Sequence, residues 1–276
     1  MPEKIAVVTG SASGFGLLTA VELAKAGFRV VASMRDLARR EHLDQAAAGA
    51  SISTLIDVRQ LDVVNFQAIP PFVDSVASDY GRIDLLVNNA GFAVAGFAED
   101  IRLEELRLQF ETNFFGAVAM TKSVLPQMRR QRSGSIIQVS SIFGLQGGLL
   151  VSSYCASKHA LEGWSESLRL EVNPLGIKVV LIEPGAFETG IWTRGAVMGT
   201  EAIKPSSPNF QRGLKLRDVF AKNPKAHPIA VARKIVEIAQ NPNPGLRYLV
   251  GRDARIMLAR KRLLPWQWHE KAMANF

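Results

Sequence analysis

The chain has 276 residues, 47% of them apolar and 21% charged, which is ample for a substantial core and argues against disorder. The formal net charge is 33 − 25 = +8, and +4 of it falls between Arg252 and Phe276, where six Lys/Arg face two Asp/Glu. No apolar run reaches the roughly 18 to 20 residues that span a bilayer, no basic motif with interleaved aromatics points to nucleic acid, and a lone Cys155 excludes an internal disulfide.

MPEKIAVVTG runs straight into a strand and a glycine turn, which leaves no room for a targeting peptide. With one cysteine in a reducing compartment, the expected address is cytoplasmic. From there a short β-branched run and a longer helical pattern alternate. Strand 5–9 precedes a helix from about Phe15 to Ala26, and strand 29–33 precedes one from about Leu37 to Ala47. A third strand near Ser53 to Leu61 leads to a helix ending near Tyr80. Strand 83–88 is followed by a long helix from about Leu103 to Arg130, strand 136–140 by a helix carrying Tyr154, and strand 178–182 by a long loop, a further helix and strand 247–251. Strands apolar throughout are buried on both faces. Their alternation with helices predicts one α/β domain, a doubly wound, mostly parallel sheet of about seven strands.

The segment 185–227 departs from this rhythm, with no convincing strand and prolines at 205, 208 and 224. A loop of that length reads as a lid or substrate-binding element. The extension 252–276 mixes basic and apolar residues. It reads either as a helix docking Ile256, Leu258 and Leu263 with its arginines in water, or as a surface for a membrane or an acidic partner.

KIAVVTGSASGFG sets glycines at 10, 14 and 16 between the first strand and the first helix. Glycines there permit a tight turn and close approach to a phosphate, while free N–H groups at the helix start attract negative charge. The spacing is G-x-x-x-G-x-G rather than G-x-G-x-x-G, so alone it is equally a plain structural turn. The second strand ends ASMRD. Met34 stands where an acid would hold a ribose 2′-hydroxyl, Arg35 follows, and Asp36 reads as a cap for the helix at Leu37. With hydroxyls at Ser11 and Ser13, this favours NADP over NAD. In YCASK, Tyr154 and Lys158 are four apart and share a helix face, which by itself is also an ordinary Tyr/Lys pair.

Taken together, TGSASGFG, NNAG at 88–91, Ser141 and YCASK resemble the short-chain dehydrogenase/reductase family from about Lys4 to Gly251. The resemblance implies a Rossmann-type fold and an oxidoreductase moving a hydride between a nicotinamide and a carbonyl or secondary alcohol. It implies a catalytic set of Asn113, Ser141, Tyr154 and Lys158, with Ser140 as a competitor for the serine. Lys158 would lower the Tyr154 pKa from about 10 toward the working range. Asn113 would help hold a water linking Lys158 to solvent. The implied cofactor contacts are Gly10, Ser11, Ser13, Gly14, Phe15, Gly16, Arg35, Asp62, Val63, Asn89, Ala90, Gly91, Tyr154, Lys158, Pro184, Gly185 and Thr189. Phe15 departs from the family's usual isoleucine or leucine.

Apolar residues in 92–97, 145–150 and the group Phe187, Ile191, Trp192, Val197 and Met198 suggest a lipophilic ketone or alcohol. MRD, YCASKHALEG and the basic extension look most like the hydroxysteroid and retinol dehydrogenase-type members. The resemblance also implies a homo-oligomer built on the helices carrying Asn113 and Tyr154. Against turnover stands the alternative of an NADP-sensing binding module. The four histidines, at 42, 159, 227 and 269, lack metal-ligand spacing, so no metal is expected.

Overall fold

A computed structural model describes residues 3–189, 196–222 and 226–274. Ile191 and Trp192, two residues expected near substrate, lie outside the described residues, as does the side chain of Val197. The chain builds β1 (Lys4–Thr9), α1 (Gly14–Lys25), β2 (Phe28–Met34), α2 (Glu41–Gly49), β3 (Ile56–Gln60), α3 (Ile69–Tyr80) and β4 (Leu85–Asn88). After β5 (Ala93–Ala95), α4 (Leu103–Phe110) runs through a π turn (Glu111–Phe115) into α5 (Gly116–Gln131). Then come β6 (Gly134–Val139), α6 (Ser152–Val172), β7 (Ile177–Pro184), β8 (Ala196–Met198), α7 (Phe210–Lys222), α8 (Ile229–Gln240) and β9 (Arg247–Val250). Helices α9 (Arg252–Leu263) and α10 (Trp266–Ala274) follow.

Seven strands form one sheet in the order β3-β2-β1-β4-β6-β7-β9, and every neighbouring pair is parallel. The domain is a single doubly wound α/β unit, as the alternating pattern predicts. Two apolar layers sandwich the sheet. On one face Val8, Val30, Val87 and Ile182 pack with Leu23 and Ile235; on the other Val7, Val31, Leu86 and Val179 pack with Val73, Met120 and Leu168. Successive residues point to opposite faces, so β-branched runs without polar alternation supply both layers. Strand order reverses between β1 and β4. In open α/β sheets the crevice outside the carboxyl ends at such a point is where ligands bind.

Three expectations need correction. The segment 185–227 is not strandless: Ala196–Met198 pairs in parallel with Ala93–Ala95, and α7 occupies 210–222. Phe187 does not offer its ring to substrate; it is buried in the core and meets Phe15 edge-on, centroids 5.6 Å apart. The C-terminal extension docks through Ala254 and Leu258, packed on Ile142, while Ile256 and Leu263 remain exposed.

Candidate active site

The glycine turn is fixed by contacts that leave no room for side chains. A Cβ on Gly16 would lie 2.3 Å from the Gly10 carbonyl oxygen, and Gly10 itself has φ +70° with the Ala90 backbone 2.9 Å from its own notional Cβ. Asn89 ties this turn to β4, its Nδ2 donating to the carbonyls of Thr9 at 2.9 Å and Gly10 at 3.2 Å. The Thr9 hydroxyl accepts from the N–H groups of Asn89 and Ala90, both at 3.0 Å. Helix α1 then begins at Gly14 with no side-chain cap at Ser13 and no acid in its first turn. Such an end presents N–H donors and the positive end of the helix dipole to an anion. The turn therefore fits a phosphate-bearing cofactor.

Around it stand the other expected cofactor contacts. At the end of β2, Met34 is buried in the core and Arg35 is exposed. Asp36 is engaged locally, its carboxylate accepting from Ala38 N–H at 3.0 Å. Asp62 accepts from Val64 N–H, and Val63 is buried against Gly116 of α5. Ser11 is buried, its hydroxyl donating to the Val8 carbonyl at 3.0 Å, so it serves the turn. Thr189 lies beside Gly14. Pro184 is buried, and Gly185 is pressed against Asp253 of α9, where a Cβ would meet the carboxylate at 2.2 Å. That carboxylate accepts from Ala186 N–H at 2.6 Å.

Tyr154 and Lys158 lie in the first two turns of α6, both almost fully buried. Lys158 Nζ donates to the Val139 carbonyl at 2.7 Å and sits 5.8 Å from the centre of the Tyr154 ring. The phenol shares a hydrogen bond with Ser141, whose Oγ also accepts from Phe143 N–H at 3.1 Å. Ser140 faces the other way, toward Glu162. Asn113 occupies the π turn, 1% exposed. Its Oδ1 accepts from Phe92 N–H at 3.0 Å, while its Nδ2 donates to the Phe92 carbonyl at 3.0 Å and to Ser157 Oγ at 3.2 Å. Its amide is thus committed to the strand-to-loop corner after Gly91 and to α6.

The electrostatics reverse one expectation. Burial pushes the Tyr154 phenol up to about 12, with Ser141 pulling weakly the other way. Burial likewise draws the Lys158 ammonium down to about 8, opposed by Glu162. Desolvation disfavours whichever form is charged, and burial is the largest cause at both groups. Cys155 is buried and its thiol is pushed up to about 11, so it is an inert core thiol.

Two participants escape a reading of the sequence. Asp253 braces the Pro184–Gly185 loop from 67 residues away, and Arg247 pairs with Glu162 across 85. Neither lies in a motif, and only the folded sheet brings them in.

The sheet order, the glycine turn at the switch point and the buried Tyr–Lys–Ser group define an oxidoreductase of the short chain dehydrogenase family, to which this chain belongs. The profile of that family matches residues 4–196. An oxidoreductase of Bacillus subtilis, YusZ, is 43% identical over 99% of this chain and 98% of its own. A 3-ketodihydrosphingosine reductase of Bacteroides thetaiotaomicron is 36% identical over 100% and 98%, and human retinol dehydrogenase 8 is 37% identical over 88% and 80%. The crystal structure of a short-chain dehydrogenase from Streptomyces avermitilis superposes with a TM-score of 0.81 at 32% identity, covering 98% of each chain.

Proposed function

We propose that this chain is a cytoplasmic, NADP(H)-dependent oxidoreductase that moves a hydride reversibly between the nicotinamide and a carbonyl or secondary alcohol of a lipophilic molecule. One observation carries the reading: Tyr154, hydrogen-bonded to Ser141 and one helical turn from Lys158, stands at the carboxyl ends of the central strands. The cofactor, when bound, supplies or accepts the hydride. Gly10, Ser13, Gly14, Phe15 and Gly16 would cradle its phosphates, and exposed Arg35 would meet a 2′-phosphate beyond Met34, with Asp36 turned to Ala38 N–H. Asp62, Val63, Asn89, Ala90 and Gly91 would line it, and Pro184, Gly185 and Thr189 would orient its nicotinamide end.

Tyr154 gives its proton to the substrate oxygen during reduction and takes it back during oxidation. A phenol held up at about 12 is protonated at neutral pH, which suits reduction. Ser141 donates to the developing oxyanion, Lys158 anchors the site's positive charge, and Asn113 locks the Phe92 corner against α6. Ala93, Val94, Leu150 and Val151, apolar and brought together at the Gly96–Val151 bridge, would form the walls of a lipophilic substrate site. The names of two relatives support such a substrate, since ketodihydrosphingosine and retinol are both lipids.

The test follows nicotinamide absorbance with NADPH and NADH against long-chain, retinoid, steroid and sugar carbonyls. Turnover should favour NADPH and bulky apolar ketones, and Tyr154→Phe should abolish it while NADPH still binds. A near-normal rate in that variant would sink the reading. Exposed Leu263, Trp266 and Trp268 beside the basic residues of α9 favour one secondary role, contact of the tail with an anionic membrane surface. Cosedimentation with anionic liposomes, with and without residues 252–276, tests it.

A further inference from the structure

Behind Lys158 lies a charge cluster, with buried carboxyls at Glu162 and Glu183, that proton transfer at Tyr154 does not use. Glu162 follows Lys158 by four residues on α6, so the two share a helix face, and it is 4% exposed. Its Oε2 accepts from Arg247 Nε at 3.1 Å and lies 3.0 Å from Nη2. Arg247, on edge strand β9, also reaches Glu166 Oε1 at 2.7 Å. From β7, Glu183 turns its Oε1 to within 3.1 Å of Arg247 Nε, off the line of a good hydrogen bond, and among the described residues neither of its oxygens has a well-aligned hydrogen-bond partner. Arg262 of α9 adds a more distant positive charge on Glu183. On the opposite side is β6: a Cβ at Gly144 would lie 2.6 Å from Ser140 Oγ and 3.2 Å from Glu162 Oε1. Ser140 therefore borders Glu162, while the preceding residue, Val139, takes the Lys158 ammonium.

Two carboxyls this close and this buried do not both ionise. Glu183, wholly buried, is pushed up to about 8 by burial and then by Glu162, with Arg247 and the more distant Arg262 opposing, so it holds the proton at neutral pH. Burial raises Glu162 as well, with Ser140 and Arg247 opposing. Arg247 makes its hydrogen bond to Glu162 and only an off-line approach to Glu183, so the negative charge of the pair rests on Glu162, the carboxyl on Lys158's own helix face. Among charged groups it is Glu162 that opposes the discharge of Lys158 by burial.

We infer that Glu162, pinned by Arg247, is a positioning residue that keeps the buried Lys158 ammonium charged beside Tyr154. It touches neither reacting atom and acts through Lys158, so the inference rests on the proposed role of that lysine. It gives Ser140 a task distinct from that of Ser141, and it gives Arg247 a reason to stand on the last strand of the sheet.

The experiment titrates Lys158 directly. Protein labelled with ¹³C in lysine is followed by NMR across pH 6 to 11, with Lys158→Met assigning the resonance. Glu162→Gln should lower the Lys158 midpoint by about one pH unit or more, since an opposite charge is removed from a buried neighbour. Glu162→Asp should leave it within a few tenths. Where turnover is measurable, the alkaline limb of kcat should move by the same amount. A merely structural Glu162 would lower kcat in E162Q without moving either midpoint. If E162Q does not fold, Arg247→Met, which removes the cation that keeps Glu162 ionised, should lower the midpoint in the same sense. An unchanged midpoint in the folded variant overturns the inference. Because the NMR reading needs no substrate, a wild-type protein without turnover would count against the dehydrogenase reading alone.

Discussion

Ser140 and Ser141 are neighbours in the chain, yet they serve opposite sides of one strand end. Ser141 bonds the Tyr154 phenol, and Ser140 borders Glu162. Ser141→Ala should lower kcat by roughly 10²- to 10³-fold with NADPH affinity unchanged, the usual cost of losing one oxyanion donor. Ser140→Ala should act mainly on the pH profile, and comparing the two profiles separates the roles. Arg35→Glu should weaken NADPH binding by at least about tenfold and leave NADH nearly untouched, as read by fluorescence titration; equal losses would refute the 2′-phosphate contact. Tyr154 and Lys158 were legible because helix periodicity alone sets i and i+4 together. Sequence offered Ser140 and Ser141 as rivals, and the fold separates them by where each hydroxyl faces. Glu162 was silent, since its meaning comes from Glu183 and Arg247, residues brought to it by parallel pairing of β7 with β9.

At the level of elements, β7 ends in a buried acid that few strands would tolerate. Glu183 has its folded pKa raised above the ordinary carboxyl value, so the folded protein binds a proton that the unfolded chain releases. Its contribution to stability is present at low pH and is lost as pH climbs from about 4.5 through 8, at no more than about 1.4 kcal/mol per pH unit. Denaturant midpoints measured from pH 5 to 8 should fall for the wild type, and Glu183→Gln should flatten that fall. The strands of the main sheet were readable because each is a buried apolar run. The π turn at Asn113 was not, since an extra residue in a helix leaves no mark on apolar periodicity. Nor were β5 and β8 readable: three residues form a strand only when a partner 103 residues away (196 − 93) supplies the hydrogen bonds.

For the whole molecule, the α/β alternation gave the doubly wound parallel sheet, while the strand order, and with it the switch point between β1 and β4, came from the fold. What it missed is how far the C-terminal extension reaches back. Beyond the contact of Ala254 and Leu258 with Ile142, Lys261 donates to the Leu145 carbonyl, and Gln146 lies 3.8 Å from Met273 Sδ. The turn after Ser141 is thereby held from the far end of the chain. Removing residues 252–276 should lower Tm by several degrees and reduce turnover at least tenfold, since the loop at Gly185 and the turn at Ile142 lose their support together. Differential scanning calorimetry and the NADPH assay check this, and a truncated enzyme of wild-type rate would contradict it. Exposed Leu108 and Phe115 on the helix of Asn113, with Leu170 on that of Tyr154, suit the pairing of protomers that the family resemblance implies. Light scattering should give a dimer or tetramer that Phe115→Glu with Leu170→Glu weakens.

The fit of Gly185 against Asp253 also bears on inheritance. Any side chain at 185 would occupy the space of the carboxylate at 253, and any loss of that carboxylate frees the Ala186 N–H. In lineages descended from this chain the two positions should therefore change together or not at all. A helix that resembles an appendage is then bound to the same selective history as the loop at the centre of the crevice.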